Sequence, residues 1–164
     1  MREIFIGMAV RKLKLIQEEW PDIDMIGINT SMQDYRLAYF INKETFVKLE
    51  RLDDLPVYNE KLKELTRQCL YKYYDGDKRV TYYLISNDNS RGKMIDQYSQ
   101  ANFFLLIKGN KKAYDINTLQ SVVRKLQNVT FVFVAVISKI KDINGIMQDL
   151  ELHEINLNAK VKQA

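Results

Sequence analysis

A chain of 164 residues that is 46% hydrophobic and 28% charged has the composition of one ordinary globular domain. It is large enough to bury on the order of 70% of its unfolded surface, which excludes a disordered or fibrous chain. A formal net charge of +4 and a sequence pI near 9.0 permit contact with nucleic acid without requiring it, since solubility alone explains such values.

Cysteine and hydropathy narrow the compartment. Cys69 is the single cysteine, so no disulfide forms within the chain. The apolar run between Arg2-Glu3 and Arg11-Lys12 is too short and wrongly flanked for a secretory signal. No apolar stretch approaches the ~20 residues of a membrane span, and the expectation is a protein of the reducing cytoplasm with no membrane partner.

In chain order, residues 1–10 read as an N-terminal extension, 11–152 as one domain and 153–164 as a loose tail. "RKLKLIQ" (Arg11 to Gln17) alternates basic and apolar residues as a strand with one wet face would. Trp20-Pro21 breaks that pattern, and "IDMIGI" (Ile23 to Ile28) predicts a second strand. Ser31 followed by Asp34 resembles a capping box, predicting a helix from Met32 to Lys43 with Leu37, Phe40 and Ile41 toward a sheet.

"FVKLER" (Phe46 to Arg51) returns to period two and predicts a strand, followed by a loop at Asp53-Asp54 and Pro56 and a short helix in "NEKLKELTRQ". Aromatic and β-branched residues on both sides of Asp75-Gly76 predict a hairpin over Leu70 to Ser86, with the glycine supplying positive φ. A strand follows from Asn102 to Lys108, then a helix to Leu126 capped by Asp115. "VTFVFVAVI" (Val129 to Ile137), apolar on both faces, predicts the central strand, and a last helix runs from Ile143 to Leu150. Hairpins and interleaved helices together predict an α+β domain with a mixed, largely antiparallel sheet and about three helices packed on it.

The chemistry of catalysis is thinly represented. The only histidine, His153, lies between acids near the C-terminus and reads as a surface residue at a helix end. Cys69 reads as an inert thiol for want of a base. One histidine and one cysteine cannot form a structural zinc site, "DGD" (Asp75 to Asp77) lacks the remaining ligands of a calcium loop, and no phosphate-binding glycine motif occurs. No cofactor, metal or catalytic residue is therefore expected.

Two binding readings remain. The first is a non-enzymatic protein-binding or adaptor domain, with an unidentified protein or a second copy as partner, acting through Tyr35, Arg36, Asn42, Arg51, Asp53 and Asp54; its mark would be an exposed apolar patch or sheet edge. The second is an RNA-associated factor using Lys72, Tyr74, Lys108, Lys111, Lys112, Arg124 and Lys125. It requires those groups to converge on one face, whereas cross-strand tyrosines also stabilise a hairpin without any ligand.

The segments "DYRLAYFIN" (Asp34 to Asn42), "LERLDDL" (Leu49 to Leu55), "TYYLISN" (Thr81 to Asn87) and "FFLLIKG" (Phe103 to Gly109), in this order, resemble the IPExxxDY proteins of Bacteroidetes over about Arg11 to Leu150. The naming motif departs from that pattern. Asn102-Phe103 occupy the Asp-Tyr place, and Ile95-Asp96-Gln97 matches Ile-Pro-Glu only with one residue inserted, so both signature carboxylates are missing. The resemblance implies a bacterial cytosolic protein and supplies no activity. The stretch before Phe103 then reads as a turn that sets a core strand, with Asn102 satisfying nearby backbone groups.

Overall fold

The computed structural model describes residues 22–163. The strand expected at Arg11 to Gln17 lies outside them. Eight strands and three helices follow in order: β1 (Ile23–Thr30), α1 (Asp34–Glu44), β2 (Glu50–Asn59), β3 (Glu64–Asp75), β4 (Val80–Ser86), the two-residue β5 (Asp88–Asn89) and β6 (Gly92–Lys93), β7 (Phe103–Lys108), α2 (Ile116–Arg124), β8 (Val129–Val134) and α3 (Ile143–Gln163). The main sheet has the order β2-β3-β4-β7-β1-β8, and every pairing in it is antiparallel. The α+β architecture with three helices is as the sequence implies.

Period-two alternation divides the core between the two faces of the sheet. Ile26, Ile28, Leu84, Leu105 and Ile107 pack with Leu37 and Ile41 of α1 and Leu119 and Val123 of α2. Met25, Tyr83, Ile85, Phe104 and Leu106 pack with Ile146, Met147 and Leu150 of α3. β7, buried from Phe103 to Ile107, occupies the interior position. Among the described residues no helix is long and apolar enough to cross a membrane.

Several local expectations are corrected. α1 starts at Asp34 rather than Met32, and its N-cap Gln33 makes no side-chain cap bond. Thr30 holds the preceding turn instead: its hydroxyl accepts from the Met32 amide and donates to the Asn128 carbonyl. The strand expected at Phe46 to Arg51 begins only at Glu50, because Asn42 takes both backbone groups of Leu49 and draws it toward α1. Val47 and Leu49 are nevertheless buried, and Phe46 and Lys48 exposed, as the alternation requires.

Asp53, Asp54 and Pro56 lie within β2 rather than in a loop. An edge strand tolerates proline, and the pairing with β3 shifts register between Leu52 and Leu55 to accommodate the acids. No helix forms over Asn59 to Gln68. Leu62 and Leu65, whose spacing suggests one, are exposed, while Thr66, Gln68 and Leu70 turn inward at period two along β3. The hairpin over Leu70 to Ser86 is present, but Arg79, not Gly76, carries the positive φ, and the Asp75 carboxylate accepts from the amides of Asp77 and Lys78.

Asp115 caps α2 as expected, accepting from the amides of Asn117 and Thr118. β8, expected at the centre, lies at the sheet's edge. Neither face is fully covered: α2 buries Val132 on one side and Tyr98 packs beside Phe133 on the other, while Phe131 and Val134 stay exposed, so the apolar run reports neither full burial nor the strand's neighbours. The last helix does not stop at Leu150 but continues through the expected tail to Gln163.

Candidate functional site

The interaction residues expected from the sequence gather partly at the β2 edge. Arg51 pairs with Asp54, stands 4.0 Å from the Asp34 carboxylate, donates to the Leu70 carbonyl at 3.1 Å and lies 5.4 Å from the centroid of the Tyr71 ring. The Tyr71 hydroxyl donates to Asp34 at 2.6 Å. Burial first, and this bond second, push the Tyr71 phenol well above its ordinary range. Cys69, beside the same cluster, has its thiol pushed up by burial and then by the Asp34 carboxylate, with Arg51 opposing. A thiol held neutral is a poor nucleophile.

His153 completes this edge and is buried, 8% exposed, rather than on the surface. Its Nε2 lies 2.9 Å from the Asp53 carbonyl oxygen, so that nitrogen carries the hydrogen and donates. The signal was available in the sequence: Leu150, His153 and Leu157 continue the apolar face of α3 at helical spacing. Farther along, the Asp149 carboxylate accepts from the Tyr58 amide. Between β2 and α3 opens a groove of about 850 Å³ lined by Arg51, Asp53, Asp54, Arg67, His153 and Lys160.

Tyr35 and Arg36 are exposed at the start of α1, next to Asp34. Asn42 sits at the other end of that helix, where it joins α1 to Leu49. The basic set is dispersed. Lys72 pairs with Glu154 at 3.2 Å and Lys108 with Glu151 at 3.3 Å, both beside α3. Lys111 pairs with Asp24 at 3.4 Å on the opposite face, and Lys112 is exposed beside it. Arg124 and Lys125 end α2, with the Arg124 guanidinium 3.5 Å from the Val132 carbonyl. Tyr74 is exposed at the hairpin, while Tyr73 stacks on Tyr82 across it at 5.9 Å.

The turn before β7 is organised by two asparagines. Asn102 Oδ1 accepts from the Thr30 amide at 2.8 Å and its Nδ2 donates to Asp88 at 3.0 Å, which is the backbone-satisfying part expected of it. Fully buried Asn87 donates to the carbonyls of Tyr98 and Ala101 and accepts from the Ile95 amide. These bonds fix a loop that supplies Tyr98 to the far edge.

That far edge, β8, is the feature the sequence placed in the interior. From Val129 to Val136 it carries no charge, no proline and no glycine, and Phe131, Val134 and Val136 are 38%, 40% and 47% exposed. Ala135 donates its amide to Met25 of β1. Successive amides alternate in direction, so Val132 and Val134 aim theirs away from the sheet. Among the described residues, no strand pairs with that side. Phe133 anchors the strand from within: its ring covers Gly27, where a Cβ would lie 2.2 Å from the ring, and stacks on Phe131 at 5.8 Å.

No protein-family model, curated protein or solved structure matches the chain.

Proposed function

We propose that the chain is a non-enzymatic protein-binding domain that acts through the β8 edge, and that a second copy is its occupant. The observation that carries this reading is the uncharged, exposed, β-prone edge from Val129 to Val136. Soluble proteins ordinarily blunt such an edge with charge or proline because its free backbone groups take up other strands, and here the register shift at Thr130 leaves Phe131 to Val134 regular.

Self-pairing suits the geometry. With the two-fold axis at Phe133, Val132 of each copy lies opposite Val134 of the other, and their outward N–H and C=O groups exchange ladder bonds once the Arg124 guanidinium, 3.5 Å from the Val132 carbonyl, swings aside. No like charges oppose each other in that register. The β2 edge, which carries Glu50, Asp53 and Asp54, is instead met by α3 through His153. Pairing through β8 leaves the Arg51 to Asp54 groove and the Tyr35 and Arg36 surface open at the opposite edge, as an adaptor requires.

The cytoplasmic placement and the resemblance to the IPExxxDY proteins belong to the same proposal. They are supported by the lone thiol and by the quoted motifs.

Sedimentation equilibrium of the wild type and of Val134→Lys tests the reading. The expected result is a concentration-dependent dimer that the lysine abolishes while the monomer stays folded. A wild type that is monomeric up to high concentration, or a dimer indifferent to the lysine, overturns it.

A further inference from the structure

Four tyrosines have hydroxyls drawn into the protein, and three of them find a carboxylate: Tyr71 with Asp34, Tyr83 with Glu154 and Tyr114 with Asp24. Tyr82 does not. It is fully buried, with its ring held by Tyr73 on one side and by the Phe46 ring, 5.7 Å away and nearly perpendicular, on another. Among the described residues its hydroxyl has no hydrogen-bond partner. A native fold leaves few buried polar atoms in that condition, because each keeps a desolvation cost without return. Burial, followed by the charge of Asp75, pushes its pKa up to about 12, which keeps it a donor through the biological range.

Tyr82 lies against a cleft of about 390 Å³ between the end of α1, the β3–β4 turn and α2. That volume is in the range of small-molecule sites, and the lining is chiefly apolar, with Phe46, Leu119 and Val122 beside the tyrosines. The rim argues against an anionic ligand. Asp115 already takes the first amides of α2, and its carboxylate and that of Glu44 outnumber the one ammonium, Lys78. Lys78 itself rests 5.1 Å over the Phe46 ring. Phe46 is half exposed and its ring stands between solvent and Tyr82.

We infer that this cleft binds a small neutral aromatic molecule bearing a carbonyl or hydroxyl oxygen, which accepts the hydrogen bond of Tyr82 while the ring lies between Phe46 and the Leu119 and Val122 side chains. The site does not involve β8 and stands or falls separately from the dimer.

A methyl-resolved NMR titration of the full chain with 2-naphthol and with naphthalene provides the test, in wild type and Tyr82→Phe. Both compounds are expected to shift the Leu119 and Val122 methyls, and Tyr82→Phe to weaken 2-naphthol roughly fivefold while leaving naphthalene unchanged. Val122→Trp, which fills the cleft from a partly buried helix position on its wall, is expected to abolish both responses and serves equally if Tyr82→Phe fails to fold. Silent Leu119 and Val122 methyls, or equal responses to the two compounds in both proteins, would overturn the inference.

Discussion

The two edges of the sheet are built to opposite rules. β2 carries Glu50, Arg51, Asp53 and Asp54, a register shift and a proline, and α3 covers it by setting Asp149 on the Tyr58 amide and His153 on the Asp53 carbonyl. β8 carries neither charge nor proline; its pairing with β1 shifts register between Asn29 and Thr30, and among the described residues its outward groups meet the Arg124 guanidinium on the Val132 carbonyl and the Tyr98 hydroxyl on the Val136 amide. Charge, proline and a covering helix close one side, whereas the other keeps a register shift near its start and two side-chain contacts. Among the described residues the open edge is thus a property of β8 and not of the sheet as a whole.

The largest disruption is expected at the root of the open edge. Gly27→Val drives a side chain into the Phe133 ring, which Tyr98 and Phe131 hold in place. Displacing it costs about 3 kcal/mol in a urea titration and loosens β8 from β1, so dimer and fold weaken together. At the closed edge, His153→Ala removes a buried donor from the Asp53 carbonyl, at about 1–2 kcal/mol, and raises amide exchange along β2 without changing association.

Alkali tests the carboxylate-paired tyrosines that bind the helices to the sheet. Tyr71, Tyr83 and Tyr114 all have their phenols raised, first by burial and then by the bonds to Asp34, Glu154 and Asp24. A raised acid keeps its proton in the folded state when the unfolded chain has lost it. The stabilisation is therefore whole below the ordinary value of 10.0 and declines as pH rises through and above it. Absorbance at the tyrosinate band is expected to climb together with unfolding, and Tyr83→Phe to flatten that dependence.

Tyr82→Phe relieves an unpaired hydroxyl and is expected to leave thermal stability unchanged or raise it by up to about 1 kcal/mol. Val134→Lys on β8 and Tyr58→Lys on β2 should each shift stability by less than about 0.5 kcal/mol, yet only the former should change the sedimentation of the protein.

Faces were legible in the sequence and edges were not. The alternation of Val47 with Leu49, the cap at Asp115 and the spacing of Leu119 and Val123 on α2 each report which side of an element is buried, and the structure agrees. Strand order depends on long-range pairing that leaves no local mark, which is why the apolar β8 reads as central and the charged β2 as a loop. The candidate groove was half visible: Arg51, Asp53 and Asp54 come together there, but His153, one hundred residues away, joins them only because α3 runs on past Leu150. The unpaired Tyr82 was invisible, since its three paired neighbours have the same residue type in similar surroundings.

Amide hydrogen exchange resolved by residue, measured at low and high protein concentration, tests the asymmetry of the edges most directly. The expected result is that the Val132 and Val134 amides exchange rapidly when dilute and become protected on concentration, while the Tyr58 amide, held by Asp149, is protected in both. Equal behaviour of the Val132 and Val134 amides at the two concentrations, whether protected or open, would contradict the assignment of β8 as the edge at which two copies join.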